Sequence, residues 1–214
     1  LALKLQEWFH TDGACVLNGV DLEEYHAIPE IPSNKFTFLF SGSVAENHRM
    51  DLFLEAWDEF QKGKENVEMV IMGNLEHFEH FKQKFISDFG KAPKVTLISQ
   101  VERSEAIGRQ KGASVLFCPN LEEMCGCYTT KIFEYLSSSN AMILAPSDKG
   151  VLEQLFAKYD GCYVSSSRME LLETIETLYE TWSIGAPLKF ERDLNTLDRK
   201  QQAHILSEYL KKII

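Results

Sequence analysis

The feature that most constrains this 214-residue chain is a regular alternation of short apolar runs with longer amphipathic stretches. Phe36-Thr37-Phe38-Leu39-Phe40 ends at Ser41-Gly42-Ser43 and reads as a buried strand followed by a tight turn. Met50 to Phe60 follows, with Leu52, Phe53, Ala56, Trp57 and Phe60 at helical spacing. The pattern then repeats. Strands are expected at Val67–Met72, Val95–Ile98, Ala113–Cys118, Ala141–Ala145 and Cys162–Val164. Helices are expected at Leu75–Phe89, Arg103–Lys111, Thr129–Ser138, Gly150–Tyr159 and Met169–Trp182. Strands this apolar are expected to be buried on both faces. Alternating with helices, they imply a parallel sheet with right-handed crossovers. The fold class is therefore α/β, a doubly wound, Rossmann-like parallel sheet of about six strands.

The ends fit this unit less well. Residues 1–35 hold one expected helix, the segment Asn18-Gly19-Val20-Asp21 and a Pro-rich stretch, Ile28 to Pro32, that reads as an extended linker. Residues 36–184 form the α/β unit, and Gly185-Ala186-Pro187 opens a C-terminal segment, 185–214, ending in an amphipathic helix from Leu197 to Ile214. The first residue is Leu, which suggests a piece of a longer protein.

Composition closes off several classes. Hydrophobic residues make up 44% and charged residues 25%, ordinary values for a packed domain. The formal net charge of -10 argues against broad binding to nucleic-acid phosphates or to an anionic membrane, but leaves room for one small basic pocket. No apolar run approaches the roughly 20 residues of a membrane span, so no integral membrane segment is expected. Five cysteines (Cys15, Cys118, Cys125, Cys127, Cys162) are an odd number in apolar contexts, which suits buried thiols in a reducing cytoplasm. Cys125 and Cys127 have neither zinc-finger nor thioredoxin spacing. His77 and His80 are a possible metal pair at i, i+3, but lack a third ligand and read as a solvated helix face. No metal site is expected.

Ligands of an open parallel sheet bind beyond the carboxyl ends of its strands. The richest such loop runs from Asn120 to Lys131, through Tyr128, into the helix that carries Glu134. Thr129 or Thr130 is a natural N-cap, and the free amides of that first turn can hold a phosphate. Lys131 opposes the helix dipole there, which suggests an anion nearby. Glu134, one turn on, can face the same mouth and accept hydrogen bonds from sugar hydroxyls. The alternative is local: Glu134 pairs with Lys131 at i, i+3, or nearly completes a capping box with Thr130. There is no P-loop and no Gly-x-Gly-x-x-Gly after the first strand, which counts against an NTPase or a dinucleotide dehydrogenase.

These pieces resemble the C-terminal, donor-binding half of a GT-B-fold, family-4-like glycosyltransferase. The resemblance rests on Asn18-Gly19-Val20-Asp21, on Phe40-Ser41-Gly42-Ser43 with Leu52 to Ala56, and on Val70-Ile71-Met72-Gly73. Most specific is Thr129-Thr130-Lys131-Ile132-Phe133-Glu134-Tyr135-Leu136, followed by Ala141 to Leu144. It implies that Glu134 bonds the donor ribose, while the Thr129 and Thr130 amides with Lys131 hold the diphosphate. Gly42 and Ser43 then line the phosphate pocket, Gln100 and Val101 lie along the nucleobase, and Tyr128 and Arg49 complete the donor-binding set. The sequence departs from the family pattern in three places. Gly126 stands where many members have a second glutamate, Ser43 where many have Arg, and Arg49 is the one cation of the first loop. The Thr-x-Lys branch uses Lys131 in that role.

The implied function is binding of a nucleotide-diphospho-sugar, without a cofactor or metal, for retaining transfer to an acceptor glycan or lipid-linked sugar. The acceptor site, and any catalytic residue it contributes, would belong to a preceding domain. Leu197, Ile205, Leu206, Leu210 and Ile213 of the last helix would then be partly exposed, or satisfied by another chain. The implied location is cytoplasmic, with possible peripheral attachment at the inner membrane face. Rival readings are a sugar-nucleotide epimerase-like enzyme of the same fold and a non-catalytic nucleotide-binding module.

Overall fold

A computed structural model describes residues 16–121 and 128–213. The helix expected before residue 16, together with Cys15, Cys125, Gly126 and Cys127, lies outside the described residues. Six strands form one all-parallel sheet: β1 (Phe36–Ser41), β2 (Val67–Met72), β3 (Thr96–Ile98), β4 (Val115–Pro119), β5 (Ala141–Ala145) and β6 (Cys162–Val164). Their spatial order is β3-β2-β1-β4-β5-β6. The chain thus winds outward from β1 on one side, then returns to lay β4 on its other side. That reversal creates a switch point between β1 and β4.

Period-two alternation divides the sheet residues between two cores. Phe36, Phe38 and Phe40 of β1, with Val115 and Phe117 of β4, face α2 (Met50–Phe60), α3 (Phe78–Phe89) and α7 (Arg168–Ser183). Phe38 stacks on Phe117 at 4.6 Å and lies parallel to Trp57 at 5.8 Å, so this layer is largely aromatic. Leu39, Leu116 and Cys118 face the other way, toward α1 (Leu22–Ala27), α4 (Arg103–Gly112), α5 (Thr130–Ser137) and α6 (Val151–Phe156). The expected α/β architecture is the observed one.

Several details differ from the sequence reading. Burial on both faces fails at the sheet edge, where Thr96 and Leu97 of β3 are exposed; β6, at the other edge, is half-buried throughout. An edge strand has one neighbour and little cover, whatever its composition. The helix expected from Leu75 starts at Phe78, because Asn74 Oδ1 accepts the Glu76 N–H at 3.0 Å and closes a turn there. The helix expected over Gly150–Tyr159 is only Val151–Phe156. Asp148 determines its start, its carboxylate accepting the N–H groups of Gly150, Leu152 and Glu153 at 2.9 to 3.0 Å. Helix α1 was not expected, although Asp21 caps it through the Glu24 N–H at 3.0 Å.

The segments on either side of the sheet unit meet. Val20 exchanges main-chain hydrogen bonds with Leu197 and Arg199 at 3.0 and 2.8 Å. Tyr25 is fully buried beneath α1, and the Ile31 N–H bonds to the Gly108 carbonyl at 2.9 Å. Leu197 lies in a short 3-10 turn (Asn195–Leu197) and is buried, contrary to the expected exposure. The last helix, α8, begins at Arg199, and its Leu206 and Leu210 are exposed as expected.

Candidate functional site

The carboxyl ends of β1, β2 and β3 are sewn together by the loops that leave them. Gly42 N–H bonds to Met72 O at 2.8 Å, Val44 N–H to Asn74 O at 3.0 Å, and Gly73 N–H to Ile98 O at 3.0 Å. Opposite this rim, Arg49 N–H bonds to Asn120 O, and Asn120 N–H to Ala145 O, both at 2.9 Å. Between the two rims, over the switch point, opens a cavity of about 930 Å³. It falls in the size range of small-molecule sites.

Helix α5 is pinned to the floor of this cavity by a contact of its second turn with β1. The buried Tyr135 hydroxyl accepts the Ser41 N–H at 2.6 Å and donates to the Ser41 carbonyl at 3.1 Å. At the far end Arg192 donates to the Leu136 and Asn140 carbonyls at 3.1 and 2.7 Å, placing a cation at the helix C-terminus. The N-terminus of α5 thereby points into the cavity. Thr129 occupies the N-cap position, but its side chain makes no capping hydrogen bond. Residues 129–131 and 134 all line the cavity.

Glu134 is the electrostatic centre. Its Oε2 accepts from Lys131 Nζ at 2.7 Å, and its Oε1 accepts from Arg103 Nη1 at 2.7 Å. Arg103 reaches on to Glu24 of α1 at 3.1 Å. Burial by itself raises the Glu134 pKa, but the hydrogen bonds and charges of Lys131 and Arg103 outweigh it and hold the carboxyl below the usual carboxylate range. Gly42 approaches from β1: a Cβ there would lie 4.0 Å from Lys131 Cε. The first loop, α5 and α4 thus converge on one charged pocket.

Of the residues expected from sequence, Gly42, Ser43, Gln100, Val101, Thr129, Thr130, Lys131 and Glu134 line the cavity. Arg49 does not. Its guanidinium turns to Asp51 on the first turn of α2, at 3.0 Å. Tyr128 does not line it either and leans on Phe133, with ring centroids 5.9 Å apart. The local pairing of Glu134 with Lys131 and its position at the cavity mouth are both observed; they are not exclusive.

Other charged or titratable lining residues, among them His48 and Arg103, were not assigned to the site by the sequence reading. His48 lines the cavity beside Phe40, its Nδ1 accepting the Ala45 N–H at 3.0 Å. Burial lowers its pKa, so the ring is neutral at pH 7 and carries its proton on Nε2. Arg103 did carry a signal, since a cation in the first turn of α4 opposes the helix dipole just as Lys131 does in α5. His77 and His80 are exposed, and among the described residues no group of three His, Cys, Asp or Glu side chains could hold a metal. Among those residues, too, no helix is long and apolar enough to cross a membrane.

An open parallel sheet with a charged cleft at its switch point defines a Rossmann-like α/β domain. The model of the family "Glycosyl transferases group 1" matches residues 21–192, and the chain belongs to that family. Solved structures share the fold at low identity. HepE of Anabaena, crystallised with UDP and glucose, superposes with a TM-score of 0.70 at 14% identity, covering 92% of this chain and 56% of HepE. A glycosyltransferase from Rickettsia africae gives 0.74 at 13% identity, covering 99% of this chain and 61% of that one. The C-terminal domain of a group 1 glycosyl transferase, LpcC, from Francisella tularensis gives 0.56 at 14% identity, covering 79% of this chain and 92% of that domain. The chain therefore spans little more than half of HepE but nearly all of an isolated C-terminal domain. A search of curated protein sequences returns no match.

Proposed function

We propose that this chain is the donor-binding half of a glycosyltransferase and that its cavity takes a nucleoside diphosphate sugar. The observation that carries the reading is the placement of Glu134, an ionised carboxylate at the mouth of the switch-point cavity, one turn from the uncapped N-terminus of α5. A ribose offers hydroxyl donors to such a carboxylate, and a diphosphate suits a helix N-terminus.

The Lys131–Glu134 pair suggests how the two halves of the nucleotide are sensed together. In the unliganded protein Lys131 occupies Glu134 Oε2. A diphosphate at the α5 N-terminus attracts the ammonium, and its departure frees Oε2 for a ribose hydroxyl. During transfer, charge accumulates on the leaving diphosphate, and Lys131 with the α5 amides offsets it. Retention of anomeric configuration, transfer without a metal, and an acceptor held by a preceding domain complete the reading, as does a cytoplasmic site of action. HepE was crystallised with UDP, so UDP is the first nucleotide to try.

Calorimetric titration with UDP and GDP, with FMN as control, tests this. Saturable binding of one nucleoside diphosphate, weakened by both Glu134→Ala and Lys131→Ala, is the expected result. Equal binding by wild type and both variants would refute the assigned site.

A further inference from the structure

We infer that Arg103 is a positioning residue for Glu134: it holds one carboxylate oxygen so that the other is presented to the ligand. This rests on the donor-binding reading above. Two cations, Lys131 and Arg103, stand in the first turns of α5 and α4, each at the end of its helix where the dipole disfavours positive charge. Both converge on the same carboxylate, and they divide it, Arg103 taking Oε1 and Lys131 taking Oε2 at equal distances of 2.7 Å. Their freedom differs. Lys131 is a flexible single-point donor on Glu134's own helix. Arg103 is a planar fork anchored on its other edge by both oxygens of Glu24, at 3.1 and 3.4 Å.

Consider the pocket when Lys131 turns to a diphosphate. Glu134 is mostly buried, with 12% of its side chain exposed, and loses one of two counter-charges. With Lys131 turned away, the charged groups left around it are Arg103 from α4 and, behind Arg103, Glu24 of α1; the phenols of Tyr25 on α1 and Tyr135 on α5 also lie within electrostatic reach. Arg103 is then the counter-charge that stays on the carboxylate, and its hydrogen bond to Oε1 restrains rotation. Without it, the carboxylate takes up a proton more readily and no longer has a fixed rotamer to meet the ribose hydroxyls.

The test uses the 214-residue chain, UDP and GDP, and the 2′,3′-dideoxy form of whichever nucleotide binds. Arg103→Ala is expected to weaken the nucleotide about tenfold, the order carried by one charge-assisted hydrogen bond. It is expected to move the acid limb of binding to higher pH and to shrink the preference for the ribose over its dideoxy form. Arg103→Lys should return the acid limb toward wild type but restore the hydroxyl preference only in part, since it supplies charge without the fork. A merely structural role would lower affinity without moving the acid limb or the hydroxyl preference, and that outcome overturns the inference. A carboxyl-carbon NMR titration of Glu134 in the unliganded chain, assigned with Glu134→Gln, separates this from the donor reading. An upward shift on Arg103→Ala supports the positioning role even if neither nucleotide binds, in which case the donor reading fails. An unchanged titration overturns the inference whatever binds.

Discussion

Replacing Gly73 by alanine probes how the cavity rim is built. Gly73 has φ of 129°, and a Cβ there would lie 2.2 Å from the Gly42 carbonyl oxygen and 2.9 Å from its carbon. Ordinary contact, at about 3.5–4.0 Å, lies well over 1 Å further out, and the obstacle is main chain, which cannot swing aside as a side chain can. Gly42 and Gly73 must separate, which strains the Gly42–Met72 and Gly73–Ile98 hydrogen bonds. Gly63 provides a control for positive φ without close approach: φ is 73°, and nothing lies within 4 Å of its Cβ position. Gly63→Ala is expected to cost about 1–2 kcal/mol, from positive φ alone. Gly73→Ala adds one disrupted buried hydrogen bond, about 1–3 kcal/mol, for a total of about 2–5 kcal/mol. Both variants lose the same glycine entropy in the unfolded chain, so that term cancels in the difference. Urea denaturation with a common m-value measures it. Equal destabilisation by the two substitutions would refute the argument that close approach of Gly42 and Gly73 holds the rim together.

Other predictions follow from single contacts. Tyr135→Phe leaves the buried Ser41 N–H and carbonyl without their shared partner and should cost about 1–3 kcal/mol in urea melts. Asp148→Ala removes the acceptor for three amides at the start of α6; a loss of at least about 1 kcal/mol is expected by the same measurement. Burial holds His48 below its ordinary value of 6.5, so the unfolded chain protonates first. Its contribution is complete above about pH 6.5 and declines as acid titrates it through the depressed folded value. Urea midpoints from about pH 5 to 7.5 should show that decline in wild type, and His48→Gln should flatten it.

The candidate site was legible where its signals are local. Thr129 to Glu134 lie within two turns of one helix, and their spacing alone places a cation and a carboxylate at its mouth. The partner of that carboxylate was less visible: Arg103 is 31 residues away in the chain. The cation chosen from the first loop, Arg49, sits beside Asp51, and two residues of separation let that pair close locally. His48, one position earlier, faces the cavity instead. Neighbouring residues in a loop point in different directions, and only the path of the backbone decides which reaches the site.

What this sequence determines by itself is periodic. Alternating apolar runs and amphipathic helices commit the chain to a parallel α/β sheet, because such strands are stable only between helical layers. The helix opening at Thr130 and the carboxylate one turn inside it belong to the same local order. What only the tertiary structure decides is the return of β4 to the side of β1, and with it the switch-point cavity. Strand pairing is a contest among long-range contacts, and a strand's own composition does not name its neighbour. Once β4 is placed there, α4 and α5 lie side by side, and two cations unfavourable at their own helix ends meet one carboxylate. Each charge is explained only by the others, which is why no single segment announced the group.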